Sequence, residues 1–532
     1  MPTDCISYQE SGYFTSLIND YLNQKPGLQS LYHRFPTLEN FEKQLLEKEK
    51  NFNSSDNLKR KTLVSALEKQ YSKLNVSDLT KLNIQALESS KTFTITTGHQ
   101  LNLFTGPLYF LYKIVSTINL TKQLKLKYPE YNFVPVYWMA TEDHDFEEIN
   151  YFNLHGKKVR WNTESGGPVG RLSTQGLEEV FEIFSLELGI GKNAEYLKKL
   201  FHESYVNHTN LADATRFLAN ELFGKTGLVV LDADTPELKK IFIPYAKEEL
   251  LKQTSHQKVM ETSEKLKDYN IQVNPREINL FYIEDDFRER IILQNGFYYI
   301  NNRELKFTQS EIVQLLENHP EKFSPNVIMR PLYQEVILPN LCYIGGGGEL
   351  AYWLELKSYF EASDVTFPIL LLRNSVLLAT EKLAKKADKL NLTWKDLFSK
   401  QQDLMNAKVK TFSEFPIDFT EQKAFLRKQF DDLNEMAKQT DKSFIGAVKA
   451  QEIKQIKGLD NLEKRLLKAE KKKHQEELER IADLQNELFP NKSLQERIVN
   501  FSEFYLGYGD LLLDKLFEEL NPLEQEFKVV VL

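Results

Sequence analysis

Thr96–Lys113 reads TTGHQLNLFTGPLYFLYK, and Trp138–Asn150 reads WMATEDHDFEEIN. Each follows a run fit for a buried strand: TFTITT over Thr92–Thr97 and NFVPVYWM over Asn132–Met139. Between them Gly98–Gly106 reads as a loop. Pro107 suits the first position of a helix, where its missing N–H costs nothing. Leu108, Leu111, Val115 and Ile118 then recur at helical spacing. Strand, helix and strand of this size make a βαβ unit. Its parallel strands send their end loops to one edge, where open sheets bind ligands. The pattern therefore gathers His99 with Glu142, Asp143, His144 and Asp145 at one crevice.

The same grammar returns further on. GLVVLDADTPELKK, Gly227–Lys240, is a strand, two aspartates and a helix opened by Thr235-Pro236. PNLCYIGGGGELAYWLELKSYFE, Pro339–Glu361, is a strand, four glycines and a helix. FPILLLRNS ends another apolar run at Arg373. Such alternation predicts an α/β core with a mostly parallel sheet. Asp232, the Gly345–Gly348 loop and Arg373-Asn374-Ser375 belong to the same edge. Residues 1 to about 90 read as helical and polar. Together with inserted segments over about 150–225 and 279–325, they complete a core spanning 1–380. The insertions have β character at 150–175 and 279–310, and NGFYYINNRELKF reads as a hairpin.

From 381 to 490 glycine is scarce and Lys, Glu, Leu and Gln dominate. PIDFTEQKAFLRKQFDDLNEMAKQ reads as one helix. Thr440-Asp441 caps a second, which runs to Leu488 and stops at Pro490. At 1.5 Å per residue it would be roughly 70 Å long, too long for a core. Ile453, Ile456, Leu459, Leu462 and Leu466 form a coiled-coil seam that weakens at Lys471–Lys473 and resumes at Leu478. An antiparallel arm is expected, with 491–532 returning to the core.

Composition narrows the function. The 532 residues carry 68 basic and 76 acidic side chains, a net charge of -8. That argues against a general nucleic-acid binder. Hydrophobic residues make up 41%, enough for a sizeable core. Two cysteines, Cys5 and Cys342, make neither a disulfide framework nor a zinc site. No run is long enough to span a bilayer, and no signal peptide is evident, so a cytoplasmic protein is expected.

The residue types suggest amide-bond chemistry. Helix starts after Gly106 and Gly348 suit an anion. Grouped carboxylates can hold an amine or act as a base, and histidine moves protons near neutral pH. Asp143 and Asp145 are read as base or anchor for an amine; His99 and His144 are read as proton carriers or oxyanion stabilisers. Gly98, Gln100, Thr105, Gly106, Tyr109, Glu142, Arg330, Gly346, Gly347, Glu349 and Asn374 are read as substrate contacts. No metal ligand set is assigned. Plainer readings compete at each point. His99 could be a bonded loop histidine, the acidic run a solvated turn, and Arg330 half of a structural ion pair. Arg373 and Asn374 could be loop caps. GGGG lacks the Lys-Ser/Thr of a P-loop. Tyr505 and Tyr508 read as packing.

Four blocks are now in hand: TTGHQLNLFTGPLYFLYK; PVYWMATEDHDFEE; SPNVIMRPLYQEVILPNLCYIGGGGELAYW; and LQERIVNF with YGDLLLDKL. In order and spacing the chain resembles the bacillithiol biosynthesis cysteine-adding enzymes, the BshC family of cysteine ligases. The resemblance implies a Rossmann-like, nucleotidyltransferase-like core with a C-terminal coiled-coil arm that forms a homodimer. It implies ligation of L-cysteine to the glucosamine amine of glucosaminyl malate, giving bacillithiol. It also implies an adenine nucleotide, ATP or ADP, near the arm, for which Tyr505, Tyr508 and Gly509 are the candidates. Where class I nucleotidyltransferases carry H-x-G-H, this chain has Thr97-Gly98-His99-Gln100, with one histidine after the glycine, and no KMSKS-like loop. Two other readings stand beside this one: a nucleotide-binding coiled-coil adaptor without catalysis, and an adenylating enzyme for another acid.

Overall fold

A computed structural model describes residues 1–53 and 57–532. Its centre is a five-stranded sheet of β1 (Thr92–His99), β2 (Asn132–Met139), β3 (Val229–Asp232), β4 (Asn340–Gly345) and β5 (Ile369–Leu372), in the order β5-β4-β1-β2-β3. Every pairing is parallel. The chain steps outward from β1 to β3, then crosses to β4 on the other side of β1. This Rossmann-like reversal puts a switch point between β1 and β4, where such sheets bind ligands. The register aligns the carboxyl ends: His99 sits opposite Met139, Met139 opposite Asp232, and Gly345 opposite Leu372.

β1 carries four buried threonines, and β-branching suits them to a strand. Their hydroxyls need partners. Thr94 and Thr96 donate to Asn340 Oδ1 at 3.2 and 2.9 Å, and Thr97 donates to the Ile344 carbonyl at 2.7 Å. These bonds pin β4 beside β1. Helix α1 (Tyr109–Lys127) follows β1 and packs on the sheet. It is buried from Phe110 to Thr121, so Ser116, Thr117 and Asn119 fill the face away from the strands. Asn119 Nδ2 donates to the carbonyls of Phe517 and Leu520 at 2.9 and 2.7 Å, tying the C-terminal segment down. Pro107 lies two residues ahead of the helix and β1 continues through His99, both small departures from expectation at element ends.

The insertions are β as read. Tyr151–Leu154 pairs with Lys157–Arg160. Leu280–Ile283, Arg288–Gln294, Phe297–Ile300, Lys306–Phe307 and Phe323–Pro325 form an antiparallel sheet. The first 90 residues are mainly helical, with one strand at Asp4–Ser7 that the sequence reading missed. That strand pairs with Glu526–Val531, which also runs parallel to Ser375–Ala379. A strand completed from the far end of the chain leaves no local periodic signal. Nearby, Arg373 and Glu496 form a buried two-point ion pair, with N···O distances of 2.6 and 3.1 Å.

The expected long helix is two. Helices α2 (Arg330–Ile337) and α3 (Gly347–Trp353) flank β4, and the arm follows as α4 (Thr420–Ala437), α5 (Lys442–Lys473) and α6 (Gln475–Leu488). The break falls at His474, next to three consecutive lysines, where the packing partner changes. Helix α5 lies antiparallel on α4: Lys423 bonds Asp460 at 2.7 Å, while Phe430 and Ala437 pack with Val448. Helix α6 buries Leu478, Ile481, Leu484 and Leu488 instead. Two residues of the expected seam, Ile453 and Leu462, are more than half exposed. The intrachain seam runs through Ile445 and Val448.

Removing one partner of a buried ion pair strands the other charge, at a cost of about 3–5 kcal/mol. Glu496→Ala is therefore expected to lower stability by that order in denaturant unfolding. The double variant Arg373→Met with Glu496→Met is expected to regain most of the loss.

Candidate active site

The His99 carbonyl accepts from the Ala140 N–H at 3.0 Å, so the ends of β1 and β2 meet. Around this junction opens a cavity of about 1040 Å³. Its wall includes Gly98, His99, Gln100, Gly106, Tyr109, Glu142, Asp143, Arg330, Gly346, Gly347 and Glu349. The sequence reading placed all eleven there. His144, Asp145, Thr105 and Asn374 are not in the wall. Asn374 is spent on Ser116 and the Asn521 carbonyl, each at 2.9 Å. Asp145 points to solvent, at an exposed turn.

The turn after β1 is strained and braced. Phe104, Thr105 and Gly106 have φ of 47°, 69° and 62° in succession, and two of the three are not glycine. Asn500 Nδ2 donates to the carbonyls of Phe104 and Gly106 at 2.8 and 2.6 Å, and the Phe104 N–H donates to the Tyr205 hydroxyl oxygen at 2.8 Å. A Cβ on Gly106 would come within 2.6 Å of Asn102 Cβ. Thr105 thus shapes the turn from behind.

His99 is buried against Tyr109 and Phe110. Burial pushes its pKa well below the usual value, and Lys113 and Arg373 push further, while the Thr105 backbone opposes them. The ring is neutral. Its Nε2 has no partner and its other nitrogen is engaged, so Nε2 is left as an acceptor on the cavity wall.

Lys113 is the one charge within an otherwise apolar and hydroxyl-bearing stretch of α1. It bonds the Gly98 carbonyl at 2.7 Å and Glu349 at 2.5 Å. Glu349 also accepts from Tyr343 at 2.7 Å and from the Gly346 N–H at 2.8 Å. Burial works against its charge, but Lys113 outweighs it and holds the carboxyl low. Glu349 thus caps the Gly346 N–H at the start of α3.

The acidic wall is organised by neighbours. Glu142 pairs with Lys239 at 2.7 Å, and Lys239 bonds Asp234 at 2.7 Å. Arg171 grips Asp234 at 2.8 and 3.0 Å. Burial raises the Glu142 pKa in spite of Lys239. Asp232 supports this wall from β3 by accepting from Thr141 at 2.5 Å. Asp143 accepts from Gln100 at 3.0 Å and stays partly open. His144 sits outside: Arg288 donates to its Nδ1 at 3.0 Å, so Nδ1 is an acceptor. Burial and Arg288 lower its pKa.

Arg330 differs from the other inner cations. Its guanidinium lies 5.5–6.0 Å from the rings of Tyr343, Trp138 and Trp353. Its hydrogen bonds go to Gln334 at 3.0 Å and Tyr352 at 3.4 Å. No carboxylate among the described residues forms an ion pair with it. Arg276, Arg288, Arg290 and Arg497 add charge to the wall. None of these four was singled out in the sequence. Lys113 could have been found, as a lone charge between apolar residues. Arg276, Arg288 and Arg290 come from or beside the antiparallel insertion and carry no local motif.

Tyr505, Tyr508 and Gly509 lie outside the wall of this cavity. The Tyr505 hydroxyl donates to Asp510 at 2.5 Å and its ring stacks on Tyr196 with centroids 5.0 Å apart. Tyr508 donates to the Leu532 carbonyl, and Gly509 closes the helix Phe501–Tyr508 with φ 56°. Among the described residues no group of three or more His, Cys, Asp or Glu is arranged to hold a metal. Cys342 is buried, and burial pushes its thiol well up.

Two family models match the chain. Residues 1–374 match the N-terminal Rossmann-like domain of bacillithiol biosynthesis BshC, and residues 376–532 match its C-terminal coiled-coil domain. A relative from Flavobacterium johnsoniae named "Putative cysteine ligase BshC" is 67% identical over 532 residues, covering all of both chains. Proteins of the same name from Flavobacterium psychrophilum and Bacillus cereus are 65% and 28% identical. These cover 100% and 94% of this chain, and 99% and 96% of their own.

The His99 assignment has two readouts. Its imidazole signals are expected to keep their neutral shifts as the pH falls through the ordinary histidine value of 6.5, in NMR of histidine-labelled protein. The unfolded chain takes up a proton below the ordinary value of 6.5 and the native ring refuses it. The native pKa is the depressed one, so this ring's contribution to stability is full above 6.5 and falls as the pH drops below it. His99→Gln is expected to flatten that part of the stability profile.

Proposed function

The chain belongs to the BshC family of bacillithiol biosynthesis and is a ligase; from that premise we propose that its cavity joins L-cysteine to glucosaminyl malate through an amide bond, in the cytoplasm. The observation that carries the reading is Arg330. A mostly buried guanidinium without a carboxylate ion-pair partner faces a cavity that is also lined by Glu142 and Asp143. Such a cation recognises planar anions well. The malyl carboxylates would lie at Arg330, and the glucosamine amine would reach Asp143.

The chemistry follows from those positions. The amine arrives as an ammonium and must lose one proton before it can attack; the partly open Asp143 carboxylate receives it. The nitrogen then attacks the activated cysteinyl carbonyl carbon. A C–N bond forms, and the bond to the leaving group breaks with its electron pair leaving on that group. The nitrogen's second proton leaves with the departing group, while the neutral His99 Nε2 accepts a hydrogen bond from the amine and orients it. Glu142 is locked to Lys239 and stays a wall group. Its fixed charge, with Asp143, favours an amine at this side of the cavity.

The arm fits a role in pairing two copies. Phe425, Met436, Phe444, Ile453 and Leu462 are exposed on α4 and α5, and a groove beside them is lined by Leu426 and Leu459. Exposed apolar rows on a helical hairpin suit a homodimer. Phe425→Asp with Leu462→Asp is expected to give a monomer by light scattering, and an unchanged mass would reject the arm as the interface.

The ligase reading is tested by incubating the protein with cysteine, glucosaminyl malate and ATP and following the thiol product by mass. Product is expected, and Asp143→Asn is expected to lower kcat by about 10²-fold or more. Omitting ATP reads whether a nucleotide activates the cysteinyl carboxyl. No product with any nucleotide would overturn the assignment.

A further inference from the structure

We propose that Gln334 is a positioning residue for Arg330, the outer link of a buried hydrogen-bond chain that aims the guanidinium at its anion. The inference rests on Arg330 being the carboxylate site of the proposed reaction. Its content is separate: what sets the angle of that guanidinium.

Gln334 is fully buried on α2, one turn after Arg330. Its Oε1 accepts from Arg330 Nη1 at 3.0 Å, and its Nε2 donates to Glu335 Oε1 at 3.0 Å. An arginine can only donate and an ionised carboxylate can only accept. The amide between them therefore has one orientation and cannot flip. Glu335 is buried too. The same Oε1 accepts from Asn340 Nδ2 at 2.6 Å, and Oε2 takes Lys48 Nζ at 2.9 Å. Lys48 comes from the helix Leu38–Asn53 and is itself buried. Asn340 is fixed in turn, because its Oδ1 accepts from Thr94 and Thr96 of β1.

The chain thus runs from the central strand and an N-terminal helix, through Asn340, Glu335 and Gln334, to the cavity wall. The rings of Trp138, Tyr343 and Trp353 favour a cation near their faces, but quadrupole attraction does not select a rotation. The Tyr352 hydroxyl holds Arg330 at only 3.4 Å. Gln334 makes the shorter of the two hydrogen bonds, so it sets which N–H groups remain for a ligand. Two-point carboxylate recognition depends on that choice.

The test is calorimetric titration of the full chain with L-malate and with glucosaminyl malate. Gln334→Met is expected to weaken both by about tenfold, with cysteine binding unchanged and the chain still folded at the assay temperature. Gln334→Glu gives a second readout that a mere packing role would not move. Ionised, it neutralises Arg330 and repels Glu335. Protonated, it has the shape of glutamine, with an O–H toward Glu335 and a carbonyl toward Arg330. Its malate affinity is therefore expected to be poor at high pH and to recover toward wild type as pH falls, relative to wild type at each pH. Lys48, Glu335, Glu349 and the hydroxyls of Tyr343 and Tyr352 are the other ionisable groups around it. Wild-type affinity in a folded Gln334→Met, or a Gln334→Glu profile parallel to wild type, would overturn the proposal. If Gln334→Met fails to fold, the Gln334→Glu profile decides. Wild type that binds neither anion would instead remove the Arg330 site, and this inference with it.

Discussion

The parallel, in-register pairing of β1 with β2 is the constraint on which the site depends. Eight residues of each strand pair without a slip, from Thr92 with Asn132 to His99 with Met139. A shift of one residue would turn every side chain to the opposite face. Because the pairing is held to the last residue, the His99 carbonyl meets the Ala140 N–H, and the acidic run begins two residues later. Two segments about forty residues apart thus share one rim. Antiparallel strands would have sent their carboxyl ends to opposite edges.

Once that rim exists, the electrostatics of its parts follow from who is paired with whom. Lys113 has Glu349, Lys239 has Glu142 and Asp234, and Arg373 has Glu496. Each lysine or arginine is thereby held by a carboxylate of its own and is not free for a ligand's anion. Burial alone would be costly for any of them. The neutral His99 fits the same scheme, since two cations beside it and no carboxylate partner keep a proton off the ring. What remains unpaired or exposed is the buried acceptor Nε2, the partly exposed Asp143 and a small set of arginines.

Much of this frame was legible in the sequence, and the reason is physical. The βαβ reading used local signals: β-branched runs, glycine loops and a helical apolar period. Those act over ten to twenty residues, and all five strands of the central sheet could be read from them. The strand Asp4–Ser7 could not, because it is made a strand by Glu526–Val531 at the other end of the chain. Arg288 and Arg290 reach the cavity by tertiary placement of an inserted sheet, which no spacing announces. The helix break at His474 was half legible. The seam visibly weakens at Lys471–Lys473, but only the change of packing partner turns a weak seam into two helices. Gly346, Gly347 and Glu349 were found as a loop at the right edge. That Glu349, three residues on, would turn back to cap the Gly346 N–H is a tertiary detail the spacing alone does not show.

Arg330 shows why a site needs neutral partners as much as charged ones. Glu349 and Glu142 stand on the same cavity wall, and either could have quenched a nearby cation. Both are held by lysines instead, at 2.5 and 2.7 Å. Arg330 is surrounded by three aromatic faces, an amide and a phenol hydroxyl. None of these carries charge, so the guanidinium keeps its full field while losing much of its water. A cation in that state interacts more strongly with an arriving anion than one already paired or fully solvated. Trp138, at the end of β2, joins the two halves of the arrangement. Its ring faces the guanidinium, and the chain leaving it turns within five residues into the acidic run. The same strand end that brings the carboxylates to the rim also sets the aromatic surface that keeps them apart from the cation.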